Sequence, residues 1–198
     1  MNSQHGNKQK YESQNPIQRA LIARFQAEMV SLVRRCDPST IIDVGCGEGY
    51  TLACLREAGI GAKFEGIDLS QKAIDEARRR LGSEVLLHVE DARDLAARGC
   101  QYDLVVMTEV LEHIAPPGPV LEMLNSLTSR YVLLSVPWEP YFCSLNFLRG
   151  KNLRAWGNDP EHVNHWGRKA FRRFVEEKFQ IIASPGVFPW TMVLAKKR

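Results

Sequence analysis

The chain has 198 residues and a formal net charge of +3 at pH 7, the size of one folded domain with a full apolar core. The mild charge lacks the clustered basic face of a nucleic-acid binder, no apolar run approaches the roughly 18 residues of a membrane span, and the polar start is unlike a secretory signal. Five cysteines, an odd number without C-x-x-C spacing, argue against a disulfide framework and suit incidental thiols in a reducing cytoplasm.

Residues 1–14 are polar and expected to be flexible. Asn15-Pro16 opens a helix in which Ile17, Leu21, Ile22, Phe25, Met29, Leu32 and Val33 recur at helical spacing up to Arg34-Arg35. The run Ile41-Ile42-Asp43-Val44-Gly45-Cys46-Gly47-Glu48-Gly49 reads as a strand that stops at three alternate glycines and feeds a helix, leaving bare backbone open to a charged ligand. A dinucleotide site needs G-x-G-x-x-G, but its third glycine would fall on Tyr50 or Leu52. Asp43, two residues ahead of the first glycine, would repel a pyrophosphate and suits a cationic ligand.

Residues 63–68 form a second expected strand, ending in Asp68 about 20 residues past the glycines, where a ribose-binding carboxylate belongs. Ser70 then caps a helix through Ala73, Ile74, Ala77 and Leu81. A third strand at 85–89 leads into Glu90-Asp91-Ala92, a fourth at 102–107 runs into Thr108-Glu109-Val110-Leu111-Glu112-His113, and a fifth spans 131–136. Alternating strands and helices call for a parallel sheet with right-handed crossovers, binding its ligand at the C-terminal strand ends. An insert at 137–166 carries Trp138, Trp156 and Trp166 with Tyr141, Phe142 and Phe147, the composition of an acceptor-binding lid. Its Arg149, Lys151 and Arg154 could meet an acidic substrate or make peripheral membrane contact. A helix at 168–177 and strands at 179–183 and 191–195 close the chain, the last two as an antiparallel hairpin.

The D-x-G-x-G-x-G run, with Asp68 and Asp91 at the ends of the next two strands, resembles motif I and its partners in the class I S-adenosylmethionine-dependent methyltransferases, whose ligand carries an ammonium and a sulfonium. The resemblance covers residues 36–136 firmly and the rest loosely. It implies a single α/β domain over 1–198, with a Rossmann-like, seven-stranded, mostly parallel sheet, helices on both faces and the last strand antiparallel. It also implies S-adenosylmethionine contacts from Asp43, Gly45, Cys46, Gly47, Gly49, Asp68 and Leu69, from Asp91 and Ala92 at the adenine, and from Glu109. Tyr11 and nearby polar residues are expected to close over the ligand.

On the acceptor side, Glu109, Glu112 and His113 stand at i, i+3 and i+4, which on a helix is one face. The E-V-L-E-H run is similar to that of ubiquinone-pathway O-methyltransferases and to that of small-RNA 3′-terminal 2′-O-methyltransferases. The second resemblance implies a divalent ion on Glu109, Glu112, His113 and His162. Beside it stands a metal-free reading with His113 as catalytic base. Trp138, Tyr141, His162, His165 and Trp166 are the expected substrate contacts, while His5 and His88 carry no expected role. The activity expected is O-methylation of a small-molecule hydroxyl on an aromatic, isoprenoid or sugar-lipid acceptor. The alternatives are RNA methylation, at a ribose 2′-oxygen with a metal at the Glu/His cluster, against which stands a missing basic stripe, and a non-catalytic cofactor-binding regulator, against which stand intact motifs. T-E-V-L after the fourth strand also departs from the N-P-P-Y of many amino-group methyltransferases of nucleic acids.

Overall fold

The computed structural model describes residues 11–139 and 163–198. Helix α1 (Pro16–Cys36) begins where Asn15 accepts from the amides of Ile17 and Gln18 and ends at Asp37 in a left-handed conformation. Its stripe of Ile22, Phe25, Met29, Leu32, Val33 and Cys36 is buried, but Ile17 is 67% exposed and belongs to the solvent side of the first turn. Strand β1 (Thr40–Val44) follows, then α2 (Tyr50–Glu57), β2 (Lys63–Asp68), α3 (Gln71–Leu81) and β3 (Leu86–Val89). Next come α4 (Ala92–Ala97), β4 (Tyr102–Thr108), α5 (Gly118–Leu127) and β5 (Thr128–Pro137), and after the insert α6 (Arg168–Glu176), β6 (Phe179–Ala183), β7 (Gly186–Val187) and β8 (Trp190–Lys197). Among the described residues no helix is long and apolar enough to cross a membrane.

The strands form one sheet in the order β3-β2-β1-β4-β5-β8-β6, with the two-residue β7 beside β8. β1 to β5 pair in parallel, whereas β8 runs antiparallel to both β5 and β6. The expected final hairpin forms, with β8 wedged between β5 and β6, and β7 is an extra short strand that the sequence did not announce. Alternation along each strand splits the core into two layers. Ile41, Leu104, Val106 and Leu133 face α1, α2 and α3, and Ile42, Val44, Val105, Met107 and Val132 face α4, α5 and α6. The chain steps from β1 outward to β3 and then crosses back to β4 on the other side of β1. Side-by-side strands whose connections leave in opposite directions open a crevice at their C-terminal ends, and that crevice is where such sheets bind ligands.

Candidate functional site

The crevice is floored by the turn after β1. Gly45, Gly47 and Gly49 all have positive φ (74°, 52° and 80°), a backbone that side-chain-bearing residues resist. At Gly45 a Cβ would also stand 2.6 Å from Cγ2 of Val110, so the turn packs directly against the segment after β4. The amides of Gly45 and Cys46 both donate to the Ile67 carbonyl at 2.9 Å, folding the turn over the end of β2. There Asp68 fixes it: the Gly47 amide donates to Oδ2 at 2.9 Å and the Ser70 amide to Oδ1 at 2.8 Å. Each oxygen keeps a further lone pair for a ligand hydroxyl.

Asp43 lies beneath, 1% exposed, and neither of its oxygens has a hydrogen-bond partner among the described residues. Burial, and secondarily the Asp68 charge, pushes its pKa up to about 8. Above it Tyr11, Gly45, Cys46, Tyr50, Thr51, Thr108 and Glu109 line a small pocket. Glu109 is held at a positive φ of 58° while its amide donates to the Ser135 carbonyl at 2.9 Å, an uncommon backbone for a side-chain-bearing residue and one that recurs at functional sites. The lining side chains include a carboxylate and no cation, which favours a positively charged ligand end.

Tyr11, placed in the segment expected to be flexible, is instead stacked on Tyr50 at 4.4 Å with the rings 9° apart. The Arg80 guanidinium covers the Tyr50 ring at 3.7 Å, and the Tyr50 hydroxyl donates to Glu12 at 3.0 Å. Burial first, then the charges of Glu109 and Asp43, hold the Tyr11 phenol protonated far above its ordinary range. Tyr11 is thus a packed part of the pocket wall rather than a loose tail residue. Tyr50, Thr51 and Thr108 were not anticipated as lining, although their places, the first turn after the glycines and the last residue of β4, face the same crevice.

Along the rim, Leu69 is 73% exposed just beyond Asp68. Asp91 caps α4 by accepting from the Arg93 amide, and its carboxylate is paired with the Arg93 guanidinium at 2.6 Å, which holds its pKa below the usual range. Ala92 is buried behind it. These residues stand at the ends of β2 and β3, in sequence with the glycine turn.

The acceptor side departs from expectation. Leu111–His113 is a single 3-10 turn, and Glu109 precedes it in a left-handed conformation, so Glu109, Glu112 and His113 do not share a helix face. Glu112 is 2% exposed and His113 is exposed. Among the described residues no three carboxylate, imidazole or thiol groups are placed to hold a metal ion. Of the donor set expected for one, His162 lies outside the described residues, as does Tyr141 among the expected substrate contacts. Trp166 packs on Phe171 and Phe174 at the edge of the core, with its ring nitrogen buried. The Trp138 ring is engaged by Phe188 and by the Arg168 guanidinium, 3.7 Å from its centroid. His165 is half exposed, its Nδ1 3.9 Å from an oxygen of Glu139, which is itself buried. Glu139 was not anticipated; its place two residues past β5 is the one signal that marked it.

A family model described as a methyltransferase domain matches residues 15–178. The ubiquinone biosynthesis O-methyltransferase of Thiobacillus denitrificans is 40% identical over 85 residues, covering 41% of this chain and 36% of that protein. Its counterpart in Bartonella tribocorum is 33% identical over 171 residues, covering 82% of this chain and 64% of that protein. The chain thus spans from about a third to somewhat under two thirds of these relatives' length. The fold is also that of magnesium protoporphyrin IX methyltransferase from Synechocystis PCC 6803, solved with bound SAH, at a TM-score of 0.69 and 20% identity over 93% of this chain and 88% of that one.

Proposed function

Since this chain belongs to the class I S-adenosylmethionine-dependent methyltransferases, we propose that it transfers the methyl group of that cofactor to a hydroxyl oxygen of a small aromatic, isoprenoid or sugar-lipid acceptor. The observation that carries this reading is the acid-lined crevice over a glycine turn, with Asp43 buried below and Glu109 at its wall. Two carboxyl groups there complement an ammonium and a sulfonium. Asp68 is free to accept from the ribose hydroxyls, and Leu69, Asp91 and Ala92 follow along the edge where the adenine would lie. Gly45, Cys46, Gly47 and Gly49 bring backbone within reach. The names of the ubiquinone-pathway relatives support an oxygen acceptor.

The reaction is an in-line displacement: the acceptor oxygen forms a bond to the methyl carbon as the sulfur–carbon bond breaks, leaving neutral S-adenosylhomocysteine. Much of the rate comes from holding the two partners in line. The hydroxyl proton must leave, and His113, exposed on the turn beside the cofactor pocket, is its acceptor. His165, on the segment that returns after the insert, stands on the same side of the fold as the turn bearing His113. We place the reaction in the cytoplasm, whose reducing conditions suit the thiols of Cys36, Cys46, Cys54 and Cys100.

The test is methyl transfer from S-adenosylmethionine to 3,4-dihydroxybenzoate, a simple catechol, followed by mass spectrometry. His113→Ala should lower kcat by about a hundred- to ten-thousand-fold and leave S-adenosylhomocysteine affinity unchanged, while a chelator leaves the wild-type rate unchanged. Loss of turnover on chelation, restored by Mg²⁺ or Mn²⁺, would replace this reading with a metal-assisted one.

A further inference from the structure

Where the insert returns to the fold, it is fastened to the turn after β4. The amides of Val163 and Asn164 both donate to the Glu112 carbonyl, at 2.9 Å and 3.1 Å. The side-chain amide of Asn164 spends both of its donors on the same turn, on the carbonyls of Leu111 at 3.0 Å and Ile114 at 2.5 Å. A turn this short bonds few of its own groups: His113 donates to Val110 at 3.0 Å and Ile114 to Leu111 at 3.3 Å. Its carbonyls need outside partners, and Asn164 supplies two from one planar group. The next residue, His165, sits beside buried Glu139, whose amide donates to the Trp166 carbonyl at 3.1 Å.

We propose that Asn164 is a positioning residue of the acceptor site: it locks the turn bearing Glu112 and His113 to the segment bearing His165, so that the two imidazoles are set by one clamp. The role rests on reading the ends of β4 and β5 as the acceptor side. Physically, the amide is suited to it because both donors are used and the site is part-buried, where an unmade hydrogen bond costs most. Without the Asn164 side chain, the Val163 and Asn164 amides still reach the Glu112 carbonyl, but the Leu111 and Ile114 carbonyls lose their side-chain donor. Val110 still packs on Gly45, so the cofactor pocket stays intact while the acceptor face loosens.

The test combines hydrogen exchange, cofactor binding and turnover on the full chain. In Asn164→Ala, amides in residues 109–116 should exchange at least about tenfold faster, the equivalent of one net hydrogen bond. Exchange in residues 41–68 should be unchanged. The kcat with 3,4-dihydroxybenzoate should fall by about ten- to a hundred-fold, as for misplaced reacting groups. S-adenosylhomocysteine affinity should stay within about twofold, which separates positioning from general damage. Asn164→Ser, keeping one donor, should fall between Ala and wild type. Unchanged exchange at 109–116, retained kcat despite faster exchange, or a matching loss of cofactor affinity would each overturn the proposal. If the wild-type protein leaves the catechol unmethylated, the acceptor reading fails separately, and the exchange at 109–116 still decides the clamp.

Discussion

At Asp43 the fold buries a carboxyl group between apolar strands and leaves both oxygens without a hydrogen-bond partner among the described residues. Burial and then the Asp68 charge raise its pKa to about 8, so without ligand it is protonated at neutral pH. A cation bound beside it favours the ionised form, and binding must then release a proton. Affinity for S-adenosylhomocysteine should therefore rise with pH and level off above about 8. Calorimetry in buffers of different ionisation enthalpy should show the proton leaving at pH 7, and no proton release would contradict it. The stability consequence has the matching sign. The folded-state pKa lies above the ordinary 3.8, so this group's contribution is fully present below about pH 4 and is lost as pH rises through about 8. Asp43→Asn should remove that loss, leaving the ligand-free variant more resistant to thermal unfolding than wild type at pH 9. The sequence showed Asp43 as an acid at a strand end; that it lacks partners depends on neighbours from other elements, which no local pattern records.

Elements whose boundaries rest on local chemistry were legible. Ser70 caps α3 as its position before an apolar stripe implies, its hydroxyl accepting from the Ala73 amide at 3.3 Å. Ser70→Ala should lower stability to urea unfolding by about 0.5–2 kcal/mol without changing the fold; no change in midpoint would mean that the Asp68 contact to the Ser70 amide alone holds the helix start. The E-x-x-E-H segment is not the helix face that i, i+3, i+4 spacing would make of it, because that spacing alone does not make a helix. Pro116 and Pro117 follow within four residues and disfavour helical backbone in the residue before them. Glu109 in turn leaves the strand in a left-handed conformation to give its amide to Ser135. The first of these signals was present in the sequence; the second was tertiary. The small strand β7 has no periodicity to betray it, being only two residues that pair with β8.

Across the whole molecule, the order β3-β2-β1-β4-β5 places the glycine turn, Asp68, Asp91 and Glu109 along one edge of the sheet, although 64 residues of chain separate Gly45 from Glu109. That convergence follows from parallel pairing with right-handed crossovers, which is why the donor side could be read from motifs at successive strand ends. The proposed acceptor side could not, because the turn after β4 and the segment from Val163 onward are joined by contacts such as Asn164 to Leu111 that have no fixed spacing in sequence. The central claim, a cofactor site built on Asp68 and the glycine turn, is tested most directly by calorimetric titration with S-adenosylhomocysteine. Asp68→Ala removes the acceptor of the Gly47 and Ser70 amides along with any bond to the ribose. Losing a hydrogen bond to a charged group, roughly 1.5–3 kcal/mol, should weaken affinity by about ten- to a hundred-fold. The wild-type protein should give saturable heat, Asp68→Ala that weakening, and NAD no heat. No heat with S-adenosylhomocysteine, or unchanged affinity in a folded Asp68→Ala variant, would contradict it.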